Sequence, residues 1–215
     1  MSTKYYHKLR MEKDMSDRLP VDPVSLREEV RNKYREVAIA PHGAYHFHTG
    51  RPLARRLGYE GDIVESLPDE AVESFAGVGD PFSLRTLTPG ERVVDIGSGG
   101  GFDCFIAAEQ VGPEGQVIGI DMTDEMLEKS EGTAADMGLD HVFFKKGLAE
   151  ELPIDDGWAD VVISNGVINL CVDKPTVFAE IHRILRPGGN LQFADIANGK
   201  PVPDAAVSNV DLWTA

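Results

Sequence analysis

From Glu91 to Phe102 the chain reads Glu-Arg-Val-Val-Asp-Ile-Gly-Ser-Gly-Gly-Gly-Phe, and this stretch holds the residues best placed to bind a ligand. Val93, Val94 and Ile96 form a short β-branched run that predicts a buried strand. Gly97, Gly99, Gly100 and Gly101 follow it directly, ahead of a helical pattern. Glycines let the backbone turn sharply and approach a ligand with no Cβ in the way, and the helix start behind them offers unpaired N–H groups. Such a turn suits a nucleotide-like ligand; a glycine-rich turn that binds nothing is the alternative. A dinucleotide fingerprint, G-x-G-x-x-G, fails at its last position, where Phe102 stands. Asp95, two residues before the first glycine, would repel a pyrophosphate. It suits a cation such as the amino group or sulfonium of S-adenosylmethionine.

Asp121 ends a second apolar run, Gln116 to Asp121, where an acidic residue reaches the ribose hydroxyls of an adenosine ligand. The alternative, a cap for the next helix, is weakened because Thr123 can cap Glu125 to Asp136. Met122 and Met126 are core residues or one wall of an adenine slot. A different cluster lies upstream, in Pro41 to Gly50, with His42, His46 and His48 around Tyr45 and Phe47. In an extended segment His46 and His48 point to one side, toward a metal or an acceptor. The simpler reading has Tyr45 and Phe47 packing on the core while the histidines bond locally, since no cysteine or carboxylate joins them in sequence. Tyr45, His46 and His48 are the acid–base candidates, and no metal set is assigned.

A net charge of −15 over 215 residues argues against nucleic acid or an anionic membrane as partner and favours a small-molecule acceptor. Met1 to Pro20 is charged throughout, no apolar run approaches about 20 residues, and a cytoplasmic protein is expected. Cys104 and Cys171 fall in core segments and read as reduced, buried thiols.

Positioning these groups requires a sheet and a cover. Residues 1–20 predict a mobile tail. Residues 21–87 predict a helical cap: Ser25 and Glu28 form a capping box for one amphipathic helix ended by Pro41, and short helices follow, broken by glycines and prolines. Residues 88–200 alternate strand and helix, with strands at 91–97, 116–121, 141–145, 159–165 and 190–195 and a turn at Arg186-Pro187-Gly188-Gly189. That order requires right-handed crossovers and a doubly wound, mostly parallel α/β sheet. Residues 201–215 read as a loop and a terminal helix or a truncated end.

Asp95, Gly97, Gly99 and Gly101 match D-x-G-x-G-x-G and resemble motif I of class I S-adenosylmethionine-dependent methyltransferases, which have a Rossmann-like fold. Asp95 to Ala108, Asp121-Met122-Thr123, Ser164 to Leu170 and Arg186 to Gly189 resemble the arsenite methyltransferase-like branch. The resemblance implies that Gly97 and Gly99 hold the methionine moiety, Asp121 the ribose, and Leu148, Ala149 and Glu150 the adenine, while Asn165 lies beside the methyl group. Arsenite-methylating members carry cysteines where this chain has Val78 and Gly166, and a soft As(III) centre needs thiolates. The expectation is therefore a small-molecule methyltransferase that does not act on arsenite. A non-catalytic or truncated S-adenosylmethionine-binding module is the alternative, and a nicotinamide oxidoreductase suffers from Phe102. The family's sheet usually carries two more strands than this sequence has room for. Strand five would then be an open edge, and a homodimer or fragment is expected, with Trp213 lacking anything to bury it.

Overall fold

The computed structural model describes residues 21–203 together with Asn209 and Trp213. Five strands, β1 (Arg92–Ile96), β2 (Gln116–Asp121), β3 (Val142–Lys146), β4 (Ala159–Asn165) and β5 (Leu185–Ala194), form one sheet in the order β3-β2-β1-β4-β5. All the pairings are parallel. The connections include α5 (Phe102–Val111), α6 (Asp124–Asp136) and α7 (Lys174–Ile184). Before the sheet come α1 (Pro23–Ile39), α2 (Gly50–Leu57), α3 (Gly61–Ser66), α4 (Asp69–Val72) and a 3-10 turn at Pro81–Ser83.

Alternation along the strands produces two cores, because successive side chains leave opposite faces of the sheet. Val93, Val117, Val161 and Ile163 meet Phe102, Phe105 and Val111 of α5 with Tyr59, Val64, Val72 and Phe75 of the preceding segment. Val94, Ile96, Ile118, Ile120 and Val162 meet Val177, Ile181 and Ile184 of α7 on the other side. Burial on both faces explains why these strands read as continuous apolar runs.

A third, smaller cluster seats α1. Leu26 and Val30 pack with Val21, and Met122, Leu170, Val172 and Trp213 lie against them. Ion pairs Arg35–Glu125 at 2.6 Å and Arg27–Glu150 at 3.3 Å fasten the same helix to the start of α6, after β2, and to the turn after β3. The cap of α1 differs from the Ser25–Glu28 expectation. Asp22 is the N-cap, its carboxylate accepts from the Ser25 amide at 2.8 Å and the Ser25 hydroxyl at 2.7 Å, and Pro23 opens the helix. A carboxylate one residue before a first-turn proline satisfies the free amides better than Ser25, which already lies inside the helix.

Arg186 to Gly189 do not separate helix from strand as expected. Ala159 pairs with Leu185 and Val161 with Asn190, so four residues of β5 bulge opposite Asp160. Gly188 supplies the required positive φ of 80°. Trp213 also differs from expectation: it packs against the α1 cluster, and the Lys174 ammonium lies 4.9 Å from its ring centroid. The remainder of the expected terminal helix lies outside the described residues. Among the described residues β5 is an edge strand, and no helix is long and apolar enough to cross a membrane.

Candidate functional site

Glycines shape the floor of the site and the turn that leads from it into α5. Gly97, Gly99 and Gly101 have φ of 73°, 51° and 91°, which L side chains rarely adopt. A Cβ on Gly97 would overlap Val167 Cγ2, so the loop and the segment after β4 touch only because that position is bare. The turn is then tied to β2. Gly97 and Ser98 amides donate to the Ile120 carbonyl at 2.8 and 3.0 Å, and the Gly99 amide donates to Asp121 Oδ2 at 2.9 Å.

Asp121 therefore braces two elements at once, because its Oδ1 accepts from the Thr123 amide at 2.8 Å, at the entry to α6. Thr123 is the N-cap residue of α6, but its side chain makes no cap bond; the carboxylate of Asp121 serves that helix start instead. Each oxygen keeps a further acceptor direction. Burial pushes the carboxyl above its ordinary range, and the Thr123 and Gly99 amides oppose that rise.

Above this floor lies a cavity enclosing about 1150 Å³ of free space, its open mouth included. Asp95, Gly97, Gly99, Asp121, Met122, Leu148, Ala149, Glu150 and Asn165, which stand far apart in sequence, all line it. Gly101 does not; a Cβ there would lie 2.8 Å from the Phe105 ring, so its bareness serves helix packing. Tyr45, His46 and His48 do not line it either. Tyr45 and His48 border a separate surface hollow, His46 is exposed, and the Tyr45 hydroxyl donates to the Ala40 carbonyl at 2.8 Å. The ring of Tyr45 stacks on Phe47 at 5.5 Å, and Phe47 lies 6.3 Å from Tyr34. That is the packing arrangement set against an acid–base role in the sequence.

Asn165 ends β4 and is fully engaged. Its Oδ1 accepts from the Val78 and Gly79 amides at 2.8 and 3.2 Å, while Nδ2 faces Gly79 O, the Tyr59 hydroxyl and Asp103 Oδ2 at 2.9, 3.0 and 3.1 Å. It thereby pins the 77–79 loop to the sheet. Val78 is drawn beside Gly166, where an added Cβ would lie 3.1 Å from Val78 Cγ1. The two positions at which thiols were expected are thus neighbours in space, and neither carries sulfur. Cys171 lines the cavity, half-buried, with its thiol pushed up to about 12 by burial and then by Glu150.

Sequence reasoning missed several lining residues. Asp103 accepts from the Tyr59 hydroxyl at 2.6 Å, and burial raises its carboxyl to about 6 against the pull of Tyr59 and Asn165. Asp95 lies on the same wall, and burial, then Asp103, raise it; its Oδ2 accepts from the Cys104 thiol at 3.3 Å. Tyr34 and Arg27 of α1 and Ser74 after α4 complete the lining. No local pattern marked these residues; Tyr34, Arg27 and Ser74 reach the lining through the docking of α1 and the 74–79 segment.

A central parallel strand that runs into a glycine turn, with an acid at the tip of the neighbouring strand, defines a Rossmann-like nucleotide-binding sheet. A family model described as a methyltransferase domain matches residues 87–214. The chain belongs to that family, the class I S-adenosylmethionine-dependent methyltransferase domains, and it resembles the arsenite methyltransferase branch. It is similar to an arsenite methyltransferase of Halobacterium salinarum, 39% identical over 207 residues, covering 90% of this chain and 53% of that one. It also resembles the crystal structure of CrArsM, an arsenic(III) S-adenosylmethionine methyltransferase from Chlamydomonas reinhardtii. That structure is 37% identical with a TM-score of 0.62, over 66% of this chain and 50% of the other. Nocamycin O-methyltransferase of Saccharothrix syringae is 38% identical over 103 residues, 48% of this chain and 37% of its own. The chain spans about half the length of the first of these relatives.

The residues present fit that cofactor. Asp121 has acceptor capacity left for hydroxyls, and the acidic wall suits a cation. Ser98, in the glycine turn, has a buried hydroxyl that finds no partner among the described residues.

Proposed function

We propose that this chain performs S-adenosylmethionine-dependent methyl transfer to a small-molecule acceptor, and that the acceptor is not arsenite. The cavity supports the first half of this reading, since a turn of bare glycines, a two-amide-braced Asp121 and buried carboxylates meet at the tips of β1, β2 and β4. Bound there, the cofactor supplies a methyl group activated by its sulfonium. In this reading Gly97 and Gly99 accommodate the methionine part and Asp121 the ribose. Met122, Leu148 and Ala149 flank the adenine, with Glu150 held toward Arg27 by their ion pair. Asn165 fixes the 77–79 loop near the transferring group, and α1 excludes water from above.

Val78 against Gly166 supports the second half. Trivalent arsenic is soft and calls for thiolates, and Cys171 is a single, half-buried thiol pushed toward its neutral form. The likeness to arsenite methyltransferases bears on the fold and cofactor, and the likeness to an O-methyltransferase is compatible with a different acceptor.

Calorimetry with S-adenosylmethionine, S-adenosylhomocysteine and NAD tests the cofactor; tighter binding of NAD would overturn it. A methylation assay with arsenite and a thiol reductant tests the acceptor. Methylated arsenicals at rates comparable with other acceptors would refute the exclusion.

A further inference from the structure

The cavity has an acidic wall that no basic side chain among the described residues neutralises. Asp95 is 2% exposed and Asp103 6%, and both line the same space as Asp121. Among the described residues no lysine, arginine or histidine forms an ion pair with any of the three. Buried carboxylates normally carry a partner charge or give up their own. Asp121 is compensated by two backbone amides, whereas Asp95 receives only the weak Cys104 thiol donor. Asp103 is oriented by Tyr59 and Asn165, both neutral.

We propose that Asp103, acting with Asp95, is the counter-charge by which this cavity distinguishes the cationic sulfonium cofactor from its neutral thioether product. The inference rests on the cofactor reading above and deepens it. Both ligand forms carry the same ribose, adenine and amino-acid groups, so Gly97, Gly99 and Asp121 treat them alike; only a charge near the sulfur tells them apart. Discrimination of this kind helps product leave after transfer, because the attraction disappears with the methyl group.

The groups facing Asp103 set its pH dependence. They are Tyr59 from the segment after α2, Asp80 before the 3-10 turn, Asp95 on β1, Cys104 on α5 and Asn165 on β4. Burial raises its carboxyl to about 6, with Asp80 adding to the rise and the Tyr59 and Asn165 bonds opposing it, so in the free protein the counter-charge is complete only above that pH. A bound sulfonium favours the ionised form, and its binding near that pH therefore expels a proton. The thioether carries the same amino-acid ammonium but no sulfonium, so it expels less.

The test is calorimetric titration of the whole protein with S-adenosylmethionine and with S-adenosylhomocysteine between about pH 5 and 8, in two buffers of different ionisation heat. The affinity ratio of cofactor to product is expected to fall roughly tenfold from the alkaline to the acid end, with more proton released on binding the cofactor than on binding the product. Asp103→Asn should lower cofactor affinity about tenfold and leave product affinity within about twofold, and Asp103→Glu should keep the discrimination. A pH-independent ratio in the unmodified protein, which needs no variant to fold, overturns the proposal. So does equal weakening of both ligands in Asp103→Asn, the signature of a purely structural bond to Tyr59 and Asn165. If neither ligand binds, the cofactor reading itself fails, a result distinct from binding without discrimination.

Discussion

Replacing Asp121 by alanine separates two jobs that one carboxylate performs in this structure. Its oxygens accept the Gly99 amide at 2.9 Å and the Thr123 amide at 2.8 Å, and both bonds are charge-assisted. Bonds of that kind contribute about 1.5 to 3 kcal/mol each, and burying the charge offsets part of the sum. The same burial raises the carboxyl of Asp121. Net destabilisation of about 2 to 4 kcal/mol is expected, since the Gly99 amide would be left inside without a partner. Cofactor binding should fall as well, by roughly tenfold to a hundredfold, because the ribose hydroxyls lose an ionised acceptor. Thermal unfolding without ligand measures the first quantity, and calorimetry with S-adenosylmethionine, at a temperature where the variant is folded, measures the second. A lower melting temperature with unchanged cofactor affinity would show that Asp121 only braces the glycine turn and that the ribose assignment is wrong. No change in either would refute the reasoning for both roles.

Gly97→Ala should be worse tolerated than a surface change, because a Cβ would overlap Val167 while φ sits at 73°. A loss of at least about 2 kcal/mol is expected in denaturant unfolding, together with weakened cofactor binding. Leu26→Ala removes the best-buried side chain of the α1 cluster and should cost about 2 to 3 kcal/mol. It should also weaken cofactor binding, checked by the same titration, because Leu26 lines the cavity. Asp160→Asn tests the β5 bulge, where Asp160 accepts from the Arg92 amide at 2.7 Å and pairs with Arg92 and Arg186. Those bonds hold its carboxyl below the ordinary 3.8 despite burial. Its stabilisation is therefore present above that value and lost as pH falls through the lower, folded-state value. The difference between native and variant melting temperatures should be full at neutral pH and shrink in strong acid.

Local pattern carried the sheet. Val93, Val94 and Ile96, Val117 to Ile120, and Val161 to Ile163 are apolar but for Asp95 and Gly119, and only a strand covered on both faces needs such runs. Position-specific backbone demands were legible too. Gly97 and Gly99 announced a turn that other residues could not make, and Asp121 at a strand tip announced an acceptor beside it. Boundaries held where a proline or glycine stood at an element's end. They shifted at Asp22 and at Arg186 to Gly189, where competing local signals were resolved by bonds to Ser25 and by pairing around Asp160.

What the sequence could not decide was which distant segments meet. Tyr59, Asp103 and Asn165 are separated by 44 and 62 residues in successive steps, yet they share one hydrogen-bond network. No periodicity encodes such a meeting; it follows from α5 crossing behind β1 while the preceding helices dock against its apolar face. The same docking leaves Tyr45, His46 and His48 outside the cavity. Those residues had the right chemistry, but the side chains of Tyr45 and Phe47 are held by stacking toward Tyr34 and not by the glycine turn. Residue type alone identified groups able to bind or transfer. Their selection into a single site came from the two-sided burial of the sheet, which fixes the strand tips as the place where α1, the 74–79 segment and the glycine turn converge.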